Sequence, residues 1–336
     1  MLTLVLELLG MLLLILVAAE LFTNALEHLG ERLGISEGVT GSLFAAIGTA
    51  LPETLVPVLA LLAGTSNAQV NEEVGVGAIL GAPLMLSTLS TCLVALAVIR
   101  HRGATGRLRP ERSGLLRDLN FFLLAFVLAT LAMFVPPQLP TYRIGLSVLL
   151  VLTYIGYITL TLRASRSLVD DGHGTEAENP MHVARIGLPT NLATILLQLA
   201  AGLALLVIGA KGFIHGVEGL SQLLGVSALL LALLIIPIAT ELPEKVNSIL
   251  WVRRGKDTLA FGNITGAMVF QGTLLPAIGI MLTPWQPRVE VLTGVLITLG
   301  AALWLRVNAR RDGLPVWVLL GNGVLYVTYL AITLSR

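Results

Sequence analysis

A chain of 336 residues that is 55% hydrophobic and 12% charged is not composed for water. A soluble domain carries about a quarter charged residues and could not cover so much apolar surface. Its formal charge of +1 offers nothing to a nucleic-acid partner, and the single cysteine, Cys92, excludes an intramolecular disulfide framework and a CxxC metal site.

A membrane span takes roughly 20 mostly apolar residues. In chain order ten stretches qualify: 3–27, 38–64, 73–99, 115–135, 142–163, 189–214, 226–252, 258–283, 289–306 and 315–334. The first has no basic segment ahead of it, as a secretion signal would, and reads as a span. The connections are short. The longest polar stretch, 164–188, carries Asp170, Asp171, His173, Glu176 and Glu178 and reads as a cytoplasmic linker. This divides the chain into a five-helix segment 1–163, the linker, and a second five-helix segment 189–336. With loops alternating sides, 16 of the 21 Lys and Arg residues fall on one side. Arg143, Lys211, Arg288 and Arg336 fall on the other, and Lys245 lies within a span. The positive-inside rule makes the richer side cytoplasmic and places both termini outside. Short loops and a preference for Arg over Lys point to a prokaryotic plasma membrane.

The two segments resemble each other. Shifting residues 16–64 by 191 lays them without a gap on 207–255, and 15 of the 49 positions are identical. Leu/Ala runs match by chance, but the densest agreement here is polar and conformational: Thr49-Ala50-Leu51-Pro52-Glu53 against Thr240-Glu241-Leu242-Pro243-Glu244. A second block, Gly77 to Ala82, matches Gly262 to Ala267 at a shift of 185, the difference falling in the polar loop 65–73. Five spans per copy is an odd number, so the second copy enters the membrane from the opposite side. Inverted repeats of this kind build many secondary transporters, with ion sites at the midplane.

Glu53 and Glu244 then lie within spans two and seven. A carboxylate at that depth is costly to desolvate and marks an ion pathway. Pro52 and Pro243 each remove a backbone donor and free a carbonyl one turn back, near Thr49 and Thr240. Carbonyl, hydroxyl and carboxylate oxygens are the ligands that hard cations such as Ca²⁺ select. Glu241, three residues before Glu244, shares its helical face. It is open to two readings, an ion ligand or the partner of Lys245. Gly77 with Gly81, and Gly262 with Gly266, recur at four residues and suit close packing against the glutamate-bearing helices. Asp257 reads as a helix N-terminal acid, and the arginine-rich loop 100–117 as a topogenic and lipid-facing segment. No HExxH, nucleophile elbow or phosphate loop is present, so the chain reads as a non-enzyme.

The segments GTALPE (48–53) with GAILGA (77–82), and ATELPE (239–244) with GNITGA (262–267), resemble the Ca²⁺/cation antiporter superfamily that includes the sodium/calcium exchangers. The resemblance implies an all-α membrane fold of ten transmembrane helices in two inverted-topology repeats, alternating access, and Ca²⁺ bound by Glu53 and Glu244 with the Thr49 and Thr240 carbonyls. Departures fall mostly in the first half. Ala50 and Glu241 stand where family members have serine, Ala82 and Ala267 where the second motif has serine, Ala78 where it has its first asparagine, and Leu86 and Gln271 at its completing Asn or Asp. Asn263 keeps the asparagine that Ala78 replaces, and Glu241, Asn263 and Gln271 are expected to assist Glu53 and Glu244 at the ion, leaving the second half the more polar. The expected function is exchange of a cation, Ca²⁺ in the first instance, against Na⁺ or H⁺, with inorganic cations and the lipid bilayer as the only partners implied and no cofactor. The alternatives are a monovalent cation/H⁺ antiporter on the same scaffold and a transport-inactive cation-binding relative.

Overall fold

The computed structural model describes residues 2–32, 51–64, 66–169 and 180–334. The helices are α1 (Leu2–Arg32), α2 (Leu51–Ala63), α3 (Ala68–Met85), α4 (Thr91–Arg102), α5 (Arg112–Ala132) and α6 (Pro140–Val169), then α7 (Leu192–Leu224), α8 (Ala228–Arg253), α9 (Asp257–Leu282), α10 (Val289–Asn308) and α11 (Val316–Leu334). A π-helical turn, Leu86–Ser90, joins α3 to α4. Among the described residues, seven helical stretches are long and apolar enough to cross a membrane: Ala68–Arg102, Arg112–Ala132, Pro140–Thr161, Leu192–Leu224, Ala260–Leu282, Val289–Asn308 and Val316–Thr333. The stretch 38–64 lies partly outside the described residues. Helix α6 runs on to Val169, past the end expected at 163, because Arg163 to Val169 contains no Gly or Pro to stop it.

The chain forms two compact units, and each draws on both sides of the chain's middle: Met1–Asn71 with Leu162–Val226, and Glu72–Thr161 with Ser227–Arg336. In the first unit α1 and α7 run antiparallel. A Cβ at Gly202 would sit 3.0 Å from the Phe22 backbone nitrogen, one at Gly209 2.8 Å from Ile15, and one at Gly216 2.8 Å from Leu8. This seven-residue glycine repeat lets two membrane-length helices approach at backbone distance, where dispersion holds them. At the polar end of this pair Gln198 donates to the Leu21 carbonyl and to Asn24 Oδ1, each at 2.9 Å, and Asn24 also accepts from His182 N–H. Such bonds satisfy amides that would otherwise be stranded in an apolar setting.

In the second unit α9 packs on α5 and α8, α4 on α8 and α11, and α10 on α5 and α11. The π turn leaves carbonyls out of the usual ladder, and polar side chains take them up. Thr91 Oγ1 donates to the Ser87 carbonyl at 3.0 Å, and Asn322 Nδ2, from α11, reaches the same carbonyl at 2.8 Å. At the arginine-rich end, β1 (Arg107–Leu108) pairs antiparallel with β2 (Leu314–Pro315). Arg102 makes a two-pronged contact with Asp257 at 2.7 and 2.9 Å, and Arg109 N–H donates to the same carboxylate at 2.7 Å. Arg112 Nε donates to the Ala309 carbonyl. Asp257 is therefore more than a helix-start acid, and several of these arginines bind protein as well as satisfying topology. At the start of α5, Glu111 accepts from Ser113 N–H and Gly114 N–H. Partial burial pushes its carboxyl up, but these bonds and Arg117 outweigh that and leave it below the usual range.

Candidate functional site

Helices α8 and α9 carry most of the second-half candidates and lie side by side. Glu241 is 1% exposed and Gln271 2%. Gln271 Nε2 donates to Glu241 Oε1 at 2.7 Å. Lys245, one turn on from Glu241 and 4% exposed, places Nζ 3.0 Å from Oε2 of the same carboxylate. Lower on the same helix pair, Asn263 Nδ2 donates to Ser248 Oγ at 3.0 Å. The two cross-helix contacts, 241 with 271 and 248 with 263, have the register of antiparallel helices. Position 244 falls between them, three residues after Glu241 and four before Ser248, on the same helical face. It lies level with Gly266 and Ala267, where the motif offers only small side chains.

The structure thus brings Glu241 together with Gln271, and Asn263 with Ser248. Glu53 sits in α2 and Thr240 and Glu244 in α8, all three with side chains outside those described; Thr49 lies outside the described residues. Of the two glycine pairs, one packs closely. A Cβ at Gly77 would stand 2.6 Å from Ala232 Cβ, and one at Gly81 would press on the Leu233 backbone and come within 2.8 Å of Pro237. So α3 lies directly on the N-terminal half of α8, as the small face of α3 leads one to expect. Gly262 meets no described atom within 4 Å, and Gly266 meets only the Tyr157 hydroxyl, at 3.7 Å. The second pair leaves space and does not mediate close packing among the described residues.

Two polar features escaped the sequence reading. Ser248 is an unremarked serine whose spacing of four from Glu244 was the available signal. Asp118, on α5 and 5% exposed, accepts from Thr265 Oγ1 at 2.7 Å. It borders a cavity of about 160 Å³ that is also lined by Glu111, Arg117, Thr258 and Thr265. Its Asp118–Thr265 bond ties α5 to the GNITGA segment of α9.

Set beside known proteins, residues 3–163 and 194–335 match the family model described as sodium/calcium exchanger protein. The chain belongs to the sodium/calcium exchanger family. Both of its halves, and both Leu-Pro-Glu segments, fall within the matched ranges. The family is one of exchangers, and its members are transporters. Among curated relatives, a putative antiporter, CaxA, of Alkalimonas amylolytica is 26% identical over 271 residues, covering 80% of this chain and 77% of that one. The inner membrane protein YrbG of Escherichia coli K12 is also 26% identical, over 330 residues, covering 95% and 93%. The fold is shared with the crystal structure of the H⁺/Ca²⁺ exchanger CAX, at a TM-score of 0.72 and 19% identity, over 98% of this chain and 82% of that one. It is also shared with the sodium-calcium exchanger NCX_Mj, at a TM-score of 0.55 and 20% identity over 97% and 98%. The chain is a multi-pass membrane protein of the cation antiporter superfamily.

Proposed function

We propose that the protein is a secondary active antiporter that exchanges Ca²⁺ for Na⁺ or H⁺ by alternating access, with ten spans in two inverted halves and both termini on the outer face of a prokaryotic plasma membrane. Glu53 and Glu244 supply the carboxylates that hold the ion, with Thr49 and Thr240 contributing backbone oxygens at the proline-interrupted turns. Gln271 and Asn263 organise the second half of the site. The observation that carries this reading is the pair of Leu-Pro-Glu segments at a constant spacing of 191 residues, both inside ranges matched by the exchanger family. The flanking polar contacts on α8 and α9 support it, since they bracket position 244 along this pair of helices.

The test is Ca²⁺ uptake into proteoliposomes driven by a Na⁺ or a proton gradient, with wild type, Glu53→Gln and Glu244→Gln. Either substitution is expected to abolish gradient-driven flux; undiminished flux in both would refute the assignment. A second reading, a monovalent cation/H⁺ antiporter, is favoured by one observation: carbon stands at Ala82, Ala267 and Leu86, where the resemblance leads one to expect polar ligands. A pH-sensitive dye inside the vesicles, read while external Na⁺, K⁺ and Ca²⁺ are varied, separates the two.

A further inference from the structure

The Glu241–Lys245 pair has no evident structural purpose. Two charges taken out of water cost several kcal/mol each, and an apolar pair of similar volume holds helices together at least as well. Both side chains are nevertheless buried on α8, 3.0 Å apart. They occupy the face that also carries position 244. The other oxygen of Glu241 takes the Gln271 amide N–H. That amide's orientation is forced, because only its NH₂ can face a carboxylate. Gln271 Oε1 is left buried without a hydrogen-bond partner. A buried carboxylate held by an amide N–H on one oxygen and by an ammonium on the other describes a cation-binding place whose cation is covalently attached.

We propose that Lys245 is a tethered counter-cation: its ammonium takes the place on Glu241 that a monovalent cation would take, and it keeps Glu241 out of the shell of the transported ion. This rests on the reading that Glu53 and Glu244 hold that ion. With Glu241 already neutralised, two carboxylates remain, and one divalent cation balances them. Lys245 thereby sets the charge of the site and favours a single divalent ion over a set of monovalent ones. It acts as a specificity-determining residue, without being a ligand. The i,i+4 spacing on one helix keeps the ammonium beside Glu241 whichever way the helix moves, so the position stays filled through the transport cycle.

The experiment uses the purified full-length protein in detergent, with binding of radiolabelled Na⁺ and Ca²⁺ measured for wild type, K245M, E241Q and the double variant E241Q/K245M. K245M vacates the position and is expected to bind one further Na⁺ per protein than wild type. E241Q leaves an uncompensated ammonium near Glu244 and is expected to weaken Ca²⁺ binding by about tenfold or more through like-charge repulsion. The double variant has the charge of wild type and is expected to recover wild-type Ca²⁺ affinity without the extra Na⁺. A folded K245M with no gain in Na⁺ overturns the proposal. So does a double variant that stays as weak for Ca²⁺ as E241Q, because Glu241 would then be a ligand. Should K245M fail to fold, the charge-neutral double variant decides alone. Glu244→Gln is the control for the underlying reading: if it binds Ca²⁺ like wild type, the assignment of Glu244 fails, and the Na⁺ count in K245M still decides the role of Lys245.

Discussion

Glu73 on α3 holds two partners at once: its Oε1 lies 2.8 Å from Arg288 Nη1, and its Oε2 accepts from the Leu229 N–H at 3.3 Å. Leu229 is in the first turn of α8, where backbone N–H groups lack intrahelical acceptors and a negative charge is favoured. The carboxylate therefore fastens the start of the glutamate-bearing helix. Arg288 is 39% exposed at its side chain, so its ion pair contributes little on its own, on the order of 1 kcal/mol or less. Glu73→Ala removes the helix-start acceptor as well as the pair and should lower the melting temperature of the detergent-solubilised protein clearly more than Arg288→Ala. Equal shifts would show that the ion pair, and not the helix end, is what matters.

The two glycine blocks that look interchangeable in the sequence predict opposite outcomes. At Gly77 a methyl group would meet Ala232 Cβ at 2.6 Å and the Leu229 carbonyl at 2.8 Å, so Gly77→Ala must push α3 off α8. Overpacking of that kind costs typically about 1–3 kcal/mol. At Gly262 no described atom lies within 4 Å, and Gly262→Ala should be neutral or gain up to about 1 kcal/mol of helix propensity. Thermal melts of the two single variants side by side check this. A Gly262→Ala protein that is destabilised as much as Gly77→Ala would show that both copies pack alike.

That contrast marks how far the sequence could be read. Hydropathy located the helices well because a lipid-facing helix needs length and apolarity alone, and exposed residues such as Leu296 and Val324, each 65% exposed, carry the signal openly. The matched motifs single out Glu53 and Glu244 as candidates because polar residues repeated at a fixed spacing inside apolar spans are improbable by chance. What the pattern could not convey is partner choice. Glu241 had a possible ally four residues on, yet that Gln271 would cap its other oxygen depends on the register of α8 against α9. Asn263 was placed beside the site by resemblance, and its bond to Ser248 follows from the same register. The π turn at 86–90 was also invisible. Its residues, Leu-Ser-Thr-Leu-Ser, would suit an ordinary helix, and a donor to its Ser87 carbonyl comes from Asn322, over 200 positions away.

The π turn yields its own prediction. Asn322 is fully buried and donates at 2.8 Å to the Ser87 carbonyl, which also receives the Thr91 hydroxyl at 3.0 Å. Replacing Asn322 with Leu removes one of the two donors while retaining bulk. The cost should sit near 1 kcal/mol, the lower end for a buried acceptor that loses a partner, because Thr91 remains. Combining N322L with Thr91→Val strips both side-chain donors and should cost more than the sum of the single changes, since either donor alone still serves the carbonyl. A double-mutant cycle on melting free energies measures this coupling; strict additivity would refute the shared-carbonyl account.

Arg143 is one of the few basic residues on the side expected to face outward, and the structure gives it a reason to be there. It is 7% exposed, in the first turn of α6, and its guanidinium donates to the carbonyls of Ile280, Thr283 and, at 3.1 Å, Pro284. These lie at and just past the C-terminus of α9, where the last carbonyls have no intrahelical donor and the helix dipole favours a cation. One planar fork with several N–H groups can serve three carbonyls together; a lysine ammonium is compact and cannot span them in the same plane. Arg143→Met leaves buried acceptors without donors and should cost roughly 2–4 kcal/mol, from about 1–3 kcal/mol for each unsatisfied group with part regained by relaxation. Arg143→Lys keeps the charge but should restore less than half of that loss, because the geometry of the fork does the work. If Lys restored full thermal stability, the dipole alone would account for Arg143. The measured order, wild type above Lys above Met, therefore separates charge from shape at the end of the helix that carries Asn263 and Gln271.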